Sequence, residues 1–240
     1  MSRDAIVKPR RAVVFDLDDT LYLERQFAYS GYRAVSRFLG EQHRWSTQLA
    51  RKFEHDCRRQ FRWGDRRRLF NEVLEKWNLS GDVVTAACIR IYREHAPRIV
   101  LLTDARQILS ELSARPDVWL ALITDGDAAT QANKVQALGV AEYFHQIIYT
   151  DQWGREFWKP HPRAFEAVEQ ESGCRGDECV YLGDNPHKDF TAPALRDWRL
   201  VRVRRRRSLH YHAANPPELV ITSELPNLVG LSDQLGLASC

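Results

Sequence analysis

Residues 12–21 read AVVFDLDDTL, in which four apolar residues run directly into a pair of aspartates spaced two apart. An uninterrupted apolar run of this length is typical of a strand buried on both faces of a parallel sheet. Three more runs end in a similar way: VWLALIT before Asp125, QIIYT before Asp151 and CVYLG before Asp184. Four such strands predict a parallel sheet whose carboxyl edge, where ligands bind in open α/β sheets, collects acidic side chains.

Helical patterns lie between these apolar runs. Residues 104–114 open with an aspartate and carry apolar residues at helical spacing. Residues 128–139 end in Leu-Gly, a common helix stop, and residues 162–172 begin with a proline, which the first turn of a helix accepts. Strand and helix in alternation predict a Rossmann-like α/β fold with a doubly wound parallel sheet.

The alternation is interrupted after the first strand. Four segments there have helical character and none resembles a strand: 26–40, 46–61, 66–78 and 83–95. We therefore expect an all-helical domain at 23–98, inserted into a core domain made of residues 1–22 and 99–240.

Charge is divided unevenly between these two parts. The whole chain has a net charge of +3, but residues 23–98 hold 16 Lys and Arg against 9 Asp and Glu, a balance of +7. The remainder holds 19 basic and 23 acidic residues, a balance of −4. A basic insert would attract anionic substrates towards an acidic core. A solvated helical face rich in arginine has the same composition, and the sequence leaves both interpretations open.

The composition is that of an ordinary globular protein, with 44% hydrophobic and 28% charged residues. No apolar run approaches the roughly 20 residues that span a bilayer, and the N-terminal segment lacks the pattern of a secretory signal. We expect a cytoplasmic protein with no membrane partner. The cysteines are odd in number and form no CxxC pair, so free thiols are favoured over a zinc site: Cys57, Cys88, Cys174, Cys179 and Cys240.

The aspartates that follow the predicted strands are candidates for phosphoryl chemistry. Asp16 and Asp18 follow the first strand, and Asp184 and Asp189 follow a later one. Phosphoryl transfer needs a nucleophile in line and a proton source for the leaving oxygen, and a pair of acids two residues apart can supply both. Hard cations such as Mg²⁺ prefer oxygen ligands. Acids that merely cap a turn are the alternative for the DxD pair alone.

A phosphate site is indicated by two further segments. Thr124 ends a predicted strand and is followed by Asp125 and Gly126, so a hydroxyl and turn amides lie at the sheet edge. Lys159 stands in WKPHP just before a predicted helix, where a point charge joins the backbone donors of the helix N-terminus.

These segments, DLDDT, LITDG, KP and GDNPHKD, resemble the four ordered motifs of the haloacid dehalogenase (HAD) superfamily. The resemblance covers residues 11–22 and 100–205. The helical insert after the first motif is similar in position and type to the cap of the phosphoglycolate-phosphatase-like branch. A cap of this kind is expected to close over the substrate and to supply specificity.

The resemblance implies a role for each motif residue. Asp16 would be the nucleophile that becomes an aspartyl phosphate, and Asp18 would protonate the leaving alcohol and then activate water. Thr124 and Lys159 would hold the phosphoryl oxygens. Dehalogenases of this fold lack the acid that Asp18 provides, so its presence favours a phosphate ester as substrate.

The same resemblance implies a Mg²⁺ site. Asp16, the backbone carbonyl of Asp18, and Asp184 would bind the ion, with Asp189 in support. Asp125 departs from the family, whose members often have asparagine there. A second negative charge beside the phosphate is unfavourable unless Asp125 turns away, towards a cap residue or the leaving group.

The sequence therefore predicts a Mg²⁺-dependent phosphomonoesterase that acts on a small phosphorylated metabolite. A phosphomutase with the same motifs is one alternative, and a non-catalytic regulatory or scaffold protein that keeps the fold is another. Nucleic acid is not expected as a partner of the run Arg204–Arg207, because the net charge is only +3 and the sequence shows no stripe of alternating aromatic and basic residues. A solvated strand end or a contact with another subunit is favoured for this run. Association into a homo-oligomer is left open.

Several other residues are given no catalytic role. His187 is interpreted as a solvent-facing loop residue, and His210 and His212 have no third ligand for a metal. The tryptophans of the insert are assigned to its core: Trp45, Trp63 and Trp77. Trp153 and Trp158 flank the approach to the phosphate site, where core packing is favoured over contact with substrate.

Overall fold

The computed structural model describes residues 9–237, and its centre is a sheet of six parallel strands. The strands are β1 (Arg11–Phe15), β2 (Val118–Thr124), β3 (Gln146–Tyr149), β4 (Cys179–Gly183), β5 (Arg199–Val203) and β6 (Ser223–Leu225). Their order across the sheet is β3-β2-β1-β4-β5-β6.

The described residues also form helices of four or more residues that connect and flank the strands. These are α1 (Glu24–His43), α2 (Thr47–Trp63), α3 (Leu69–Lys76), α4 (Asp82–Glu94), α5 (Thr103–Ser113), α6 (Ala128–Leu138), α7 (Arg163–Ser172), α8 (Thr191–Ala194) and α9 (Leu231–Gln234). None of the helices within residues 9–237 is both long and apolar enough to cross a membrane.

Strand β1 lies between β2 and β4, which places the ends of three strands side by side. Phe15 is paired with Leu122 of β2 and with Leu182 of β4. The ladder continues one residue further, where the amide of Asp16 donates to the carbonyl of Leu182 at 2.8 Å. Because β1, β2 and β4 are almost wholly buried, the side chains that follow them meet at one sheltered edge of the sheet.

The predicted α/β class with a parallel sheet is confirmed. Helix ends can be predicted from a few neighbouring residues. Gly139 and Gly173 both adopt the left-handed conformation and end α6 and α7. Two strands went unnamed at the sequence level. Strand β5 reads RLVRV, whose arginines break the apolar run, and β6 has three residues, too few to give a pattern.

The described chain divides into two compact units, a helical unit of Arg25–Ile99 and an α/β unit formed by the rest. The helical unit has an aromatic core in which Tyr32 stacks on Tyr92 at 5.6 Å and also contacts Phe70. Gly31 allows this packing, since a Cβ there would lie only 2.4 Å from the Tyr92 ring.

One predicted helix and one predicted core residue of this unit are wrong. Residues 66–78 do not form a single helix, because the Asp65 side chain accepts the Arg67 amide and caps a separate 3-10 turn at Arg66–Arg68 before α3 begins. Trp63 is 79% exposed, whereas Trp45 and Trp77 pack against each other with ring centroids 5.0 Å apart. Trp63 is the last residue of α2, beyond the reach of that core.

The expectation of a solvated run at Arg204–Arg207 is also wrong for one of its members. Arg205 is buried, donates to the Thr20 carbonyl at 2.7 Å and pairs with Asp104 at 2.8 Å. As predicted, Cys57, Cys88 and Cys179 are free thiols, and the buried Cys174 thiol donates to the Pro9 carbonyl at 3.6 Å. Cys240 lies outside the described residues.

Candidate active site

Three carboxylates converge at the edge where β1 and β4 end. Asp16 follows β1, and Asp184 and Asp189 stand at the two ends of the loop after β4. One oxygen from each lies within 4.8 Å of the others, and all three residues are buried. Among the acidic, histidine and cysteine side chains of residues 9–237, these three are close enough together to share one metal ion.

Lys159 is the counter-charge of this cluster. Its side chain is fully buried, with Nζ 2.5 Å from Asp16 Oδ1 and 2.8 Å from Asp189 Oδ1. The same ammonium donates to the hydroxyl of Tyr181 on β4 at 2.8 Å. Lys159 thus links the residue after β1 to the loop after β4, and its position is fixed by three partners.

Burial dominates the ionisation of these groups. Desolvation raises the pKa of Asp16 to about 7, against the opposing effect of Lys159. Desolvation, followed by the charges of Asp189 and Asp16, raises the pKa of Asp184 well above its usual value. Burial alone would lower the pKa of Lys159, but Asp16 and Asp189 outweigh it and keep the amine protonated. Lys159 is thus the buried counter-charge of this group, and Lys188 adds a further positive charge that acts to lower the pKa of Asp16, Asp184 and Asp189.

The cluster has the features that a divalent cation requires. Asp184 Oδ2 is buried and, within the described residues, has no hydrogen-bond partner, so it is an acceptor in need of a positive group. Gly183 leaves room for Asp189, since a Cβ at that position would lie 2.5 Å from Asp189 Oδ2. Carboxylate oxygens are the ligands that hard cations take. The residues present fit a hard divalent ion.

Asp18 lies apart from this cluster, although it is only two residues from Asp16. Its carboxylate is held by Lys134 of α6 at 2.8 and 2.9 Å, by Gln131 at 2.9 Å and by the hydroxyl of Tyr22. Burial acts to raise the pKa of Asp18, but Lys134 and the hydrogen bonds outweigh it and hold the pKa below its usual value. The ionised form is favoured, with its orientation fixed by α6.

Thr124 and Gly126 occupy the edge after β2, as their places in the sequence predict. The Thr124 hydroxyl contacts Gln131 Nε2 at 2.5 Å, so Gln131 joins Thr124 to Asp18. Gly126 has φ of 115°, which side chains rarely adopt, and it opens the turn that leads to α6. Asp127 then caps α6 by accepting the Thr130 amide at 2.9 Å.

Asp125 turns towards groups of the α/β unit. Its Oδ1 accepts from the hydroxyl of Thr150 at 2.8 Å and from the backbone amide of Lys159 at 3.1 Å, and its Oδ2 lies 3.4 Å from Lys188 Nζ. These partners explain how an acid is accommodated beside the predicted phosphate-binding segment. They differ from the cap residue or leaving group that the sequence suggested.

Four side chains in the neighbourhood carried no prediction: Gln131, Lys134, Tyr181 and Lys188. The first two lie on α6, three residues apart, and so present one face. That spacing was visible in the sequence, but the partner, Asp18, is more than 110 residues away. Lys188 lies inside the motif GDNPHKD, directly before Asp189. Of the four side chains, it is the one whose place near the site the sequence could have indicated.

The remaining aromatic and histidine residues have structural surroundings. Trp158 donates to Asp151 at 3.0 Å, and the Trp153 ring is covered by the Arg163 guanidinium at 4.6 Å. His187 is exposed on its loop. His210 and His212 lie in a turn after β5 and join no group of possible metal ligands in the described chain.

Known proteins are similar to this chain in sequence. The profile of the haloacid dehalogenase-like hydrolases matches residues 10–194. A glyceraldehyde 3-phosphate phosphatase of Methanopyrus kandleri is 27% identical over 204 residues, covering 81% of this chain and 84% of the relative. A phosphoserine phosphatase of Thermus thermophilus is 31% identical over 140 residues, covering 58% of this chain and 55% of the relative.

Solved structures agree on the fold. The HAD hydrolase YfnB from Bacillus subtilis, solved bound to magnesium, superposes with a TM-score of 0.66 and 19% identity, covering 95% of this chain and 99% of that one. The predicted enzyme class, a HAD-like phosphatase, is confirmed by the family match together with the phosphatase relatives. Since the family profile spans well over half of its residues, this chain belongs to the haloacid dehalogenase-like hydrolases.

Proposed function

We propose that this phosphatase is a Mg²⁺-dependent phosphomonoesterase in which Asp16 is the nucleophile. The observation that carries the proposal is the placement of Asp16 between a buried lysine and two further buried carboxylates, one of which has an oxygen without a partner. Lys159 fixes the orientation of Asp16, and its positive charge complements a phosphoryl group.

In the first half-reaction an Asp16 oxygen attacks phosphorus and the ester P–O bond breaks. The leaving alkoxide takes a proton from the carboxyl group of Asp18 and departs as an alcohol. Lys159, 2.5 Å from Asp16, would meet the negative charge that spreads over the phosphoryl oxygens, and Thr124 would donate its hydroxyl to one of them.

In the second half-reaction Asp18, now ionised, takes a proton from water. The hydroxide oxygen bonds to phosphorus while the bond from phosphorus to Asp16 breaks, which releases inorganic phosphate and restores both carboxyl groups. The contacts of Lys134 and Gln131 with Asp18 suit this step, because they favour the ionised carboxylate. Proton donation in the first step requires Asp18 to loosen its contact with Lys134.

Asp16, Asp184 and Asp189 are the residues that would hold Mg²⁺, together with the backbone carbonyl of Asp18. The ion, when bound, supplies charge that neutralises the phosphoryl oxygens and relieves the repulsion among the carboxylates. The remaining residues bind and orient: Lys159 positions Asp16, and Gly126 and Thr124 form the phosphate-binding turn.

We propose a small phosphorylated metabolite as substrate, with residues 23–98 serving as the substrate-selecting cap. The relatives support this class, since those named above are phosphatases of glyceraldehyde 3-phosphate and of phosphoserine. A phosphomutase would use the same residues, but it would return the phosphoryl group to its product and release little inorganic phosphate.

The test is release of inorganic phosphate from a panel of phosphomonoesters that includes glyceraldehyde 3-phosphate, phosphoserine and sugar phosphates. With Mg²⁺ we expect turnover of at least one member, lost in EDTA and regained when Mg²⁺ is added back. Asp16→Asn should lower kcat by roughly a thousandfold or more, since the amide is nearly isosteric but not nucleophilic.

Asp125→Asn is the matched control, because it makes the same chemical change one strand away and restores the residue that relatives often carry. It should retain measurable turnover. Undiminished activity in EDTA would contradict the metal requirement, and phosphate release by Asp16→Asn near the wild-type rate would place the nucleophile elsewhere.

A further inference from the structure

The helical unit carries a concentration of arginine that the phosphatase chemistry does not use. One face of α2 presents a row of basic side chains that recur every three or four residues, with one adjacent pair at 58 and 59: Arg51, His55, Arg58, Arg59 and Arg62. At 1.5 Å per residue this row is about 16 Å long. Four of its members are exposed, and Arg58 is half-buried.

Two adjoining concavities run along this row. The first, of about 480 Å³, is lined by Arg33 and by the row from Arg51 to Arg58. The second, of about 370 Å³, is lined by Tyr29, by the row from His55 to Arg62, and by Trp63. The two share His55 and Arg58, so together they form one groove with α1 on one side and α2 on the other. We call this the basic groove.

The groove combines cationic and aromatic surfaces. The Arg58 guanidinium lies over the Tyr29 ring at 4.8 Å and is also held by Glu54 at 3.3 Å, so its position is fixed. At the far end the Trp63 ring is 79% exposed, an unusual position for a residue of this size. The residues that line the groove include five arginines and one acidic residue, Glu54.

We propose that the basic groove binds single-stranded nucleic acid. Phosphates spaced along a flexible strand match a row of arginines, and bases stack on exposed aromatic rings and guanidinium planes. A solvated basic surface would explain the charge but not a large exposed indole at the end of the row. A run of acidic residues would satisfy the arginines but has no ring at each repeat to stack on Trp63.

The proposal depends on the helical unit alone and not on the Arg204–Arg207 run. Arg205 in that run is buried against Thr20 and Asp104, and Arg204 is paired with Glu224 at 3.0 Å. A nucleic-acid partner, which the sequence did not favour, is therefore inferred from a different part of the chain.

The experiment measures binding of the full-length chain to a fluorescein-labelled oligouridylate of about 12 nucleotides by fluorescence anisotropy. With about five arginine contacts, the logarithm of affinity should fall against the logarithm of salt with a slope of about −3.5. The triple variant Arg51→Glu, Arg59→Glu, Arg62→Glu should weaken binding by at least about tenfold and reduce the magnitude of that slope by about 2.

The matched control is the triple variant Arg37→Glu, Arg67→Glu, Arg68→Glu. It changes net charge equally within the same unit, at exposed positions that do not line the groove. We expect less than about a threefold loss of affinity from the control, because these exposed arginines do not line the groove and their charges are screened by salt. An equal loss from both triple variants would overturn the proposal, as would no binding by the wild type at about 0.1 M salt. Circular dichroism and thermal melting report whether each variant is folded.

Stacking is tested separately. Trp63→Ala should weaken binding by about tenfold, whereas Val83→Ala, at another exposed apolar position, should leave it unchanged. Polyglutamate should compete poorly. Equal competition by polyglutamate, with no effect of Trp63→Ala, would assign the groove to an acidic protein instead. Displacement by free UTP at the same nucleotide concentration would overturn the assignment to a strand.

Discussion

The two units of this protein hold their charges in opposite ways. In the α/β unit, Lys159 and three aspartates are buried within a few ångströms of one another. In the helical unit, the arginines of the basic groove stand mostly in solvent. Buried charges must be paired and are costly to disturb, whereas exposed ones contribute little to stability and remain available to ligands.

The largest loss of stability is expected from a substitution of the buried Lys159. Lys159→Met leaves Asp16 and Asp189 buried without their counter-charge, so we expect the free energy of unfolding to fall by about 3–5 kcal/mol. Urea denaturation in EDTA, followed by tryptophan fluorescence, measures this. The double variant Lys159→Met, Asp189→Asn should recover part of the loss, because it removes one of the orphaned charges. A loss below about 1 kcal/mol in the single variant would show that this cluster is solvated.

A smaller effect is expected from a pair of glycine substitutions, one in each unit. Gly183→Ala places a Cβ 2.5 Å from Asp189 Oδ2, so the carboxylate must shift and stability should fall by about 1–3 kcal/mol. Gly40→Ala, in α1, meets nothing closer than Trp45 at 3.8 Å and should stabilise the helix by about 0.5–1 kcal/mol. Thermal melting reports both.

Only the first of these substitutions should alter the metal site. Gly183→Ala should raise the Mg²⁺ concentration needed for half-maximal phosphate release, and Gly40→Ala should not. Identical Mg²⁺ dependence in the two variants would mean that Asp189 plays no part in holding the ion.

The smallest effect belongs to the exposed ion pair of Arg90 and Glu94, whose atoms lie 3.6 Å apart on α4 with both side chains about two-thirds exposed. Arg90→Ala should change the free energy of unfolding by no more than about 0.5 kcal/mol, and added salt should remove even that difference. A loss comparable to that of Lys159→Met would contradict the contrast between the two units.

Much of the fold was accessible from the sequence because its signals are local. Apolar runs, turn residues and helix stops report on a few neighbouring positions, and they located four of the six strands and the helices between them. The strands that were missed, β5 and β6, lack a continuous apolar pattern. Arg202 in β5 is wholly buried because its guanidinium donates to Asn215 and to the His210 carbonyl, partners that a local pattern does not reveal.

The sequence by itself also determined the α/β class and the enzyme family, since the motifs stand at strand ends in a fixed order. Their individual roles stay predictions. Tertiary structure alone decided which distant residues are in contact: Lys134 with Asp18, Arg205 with Thr20, and Arg58 with Tyr29 in the basic groove. The physical reason is range. Secondary structure follows the periodicity of adjacent residues, whereas these contacts join positions tens to nearly two hundred residues apart and exist only after the chain has packed.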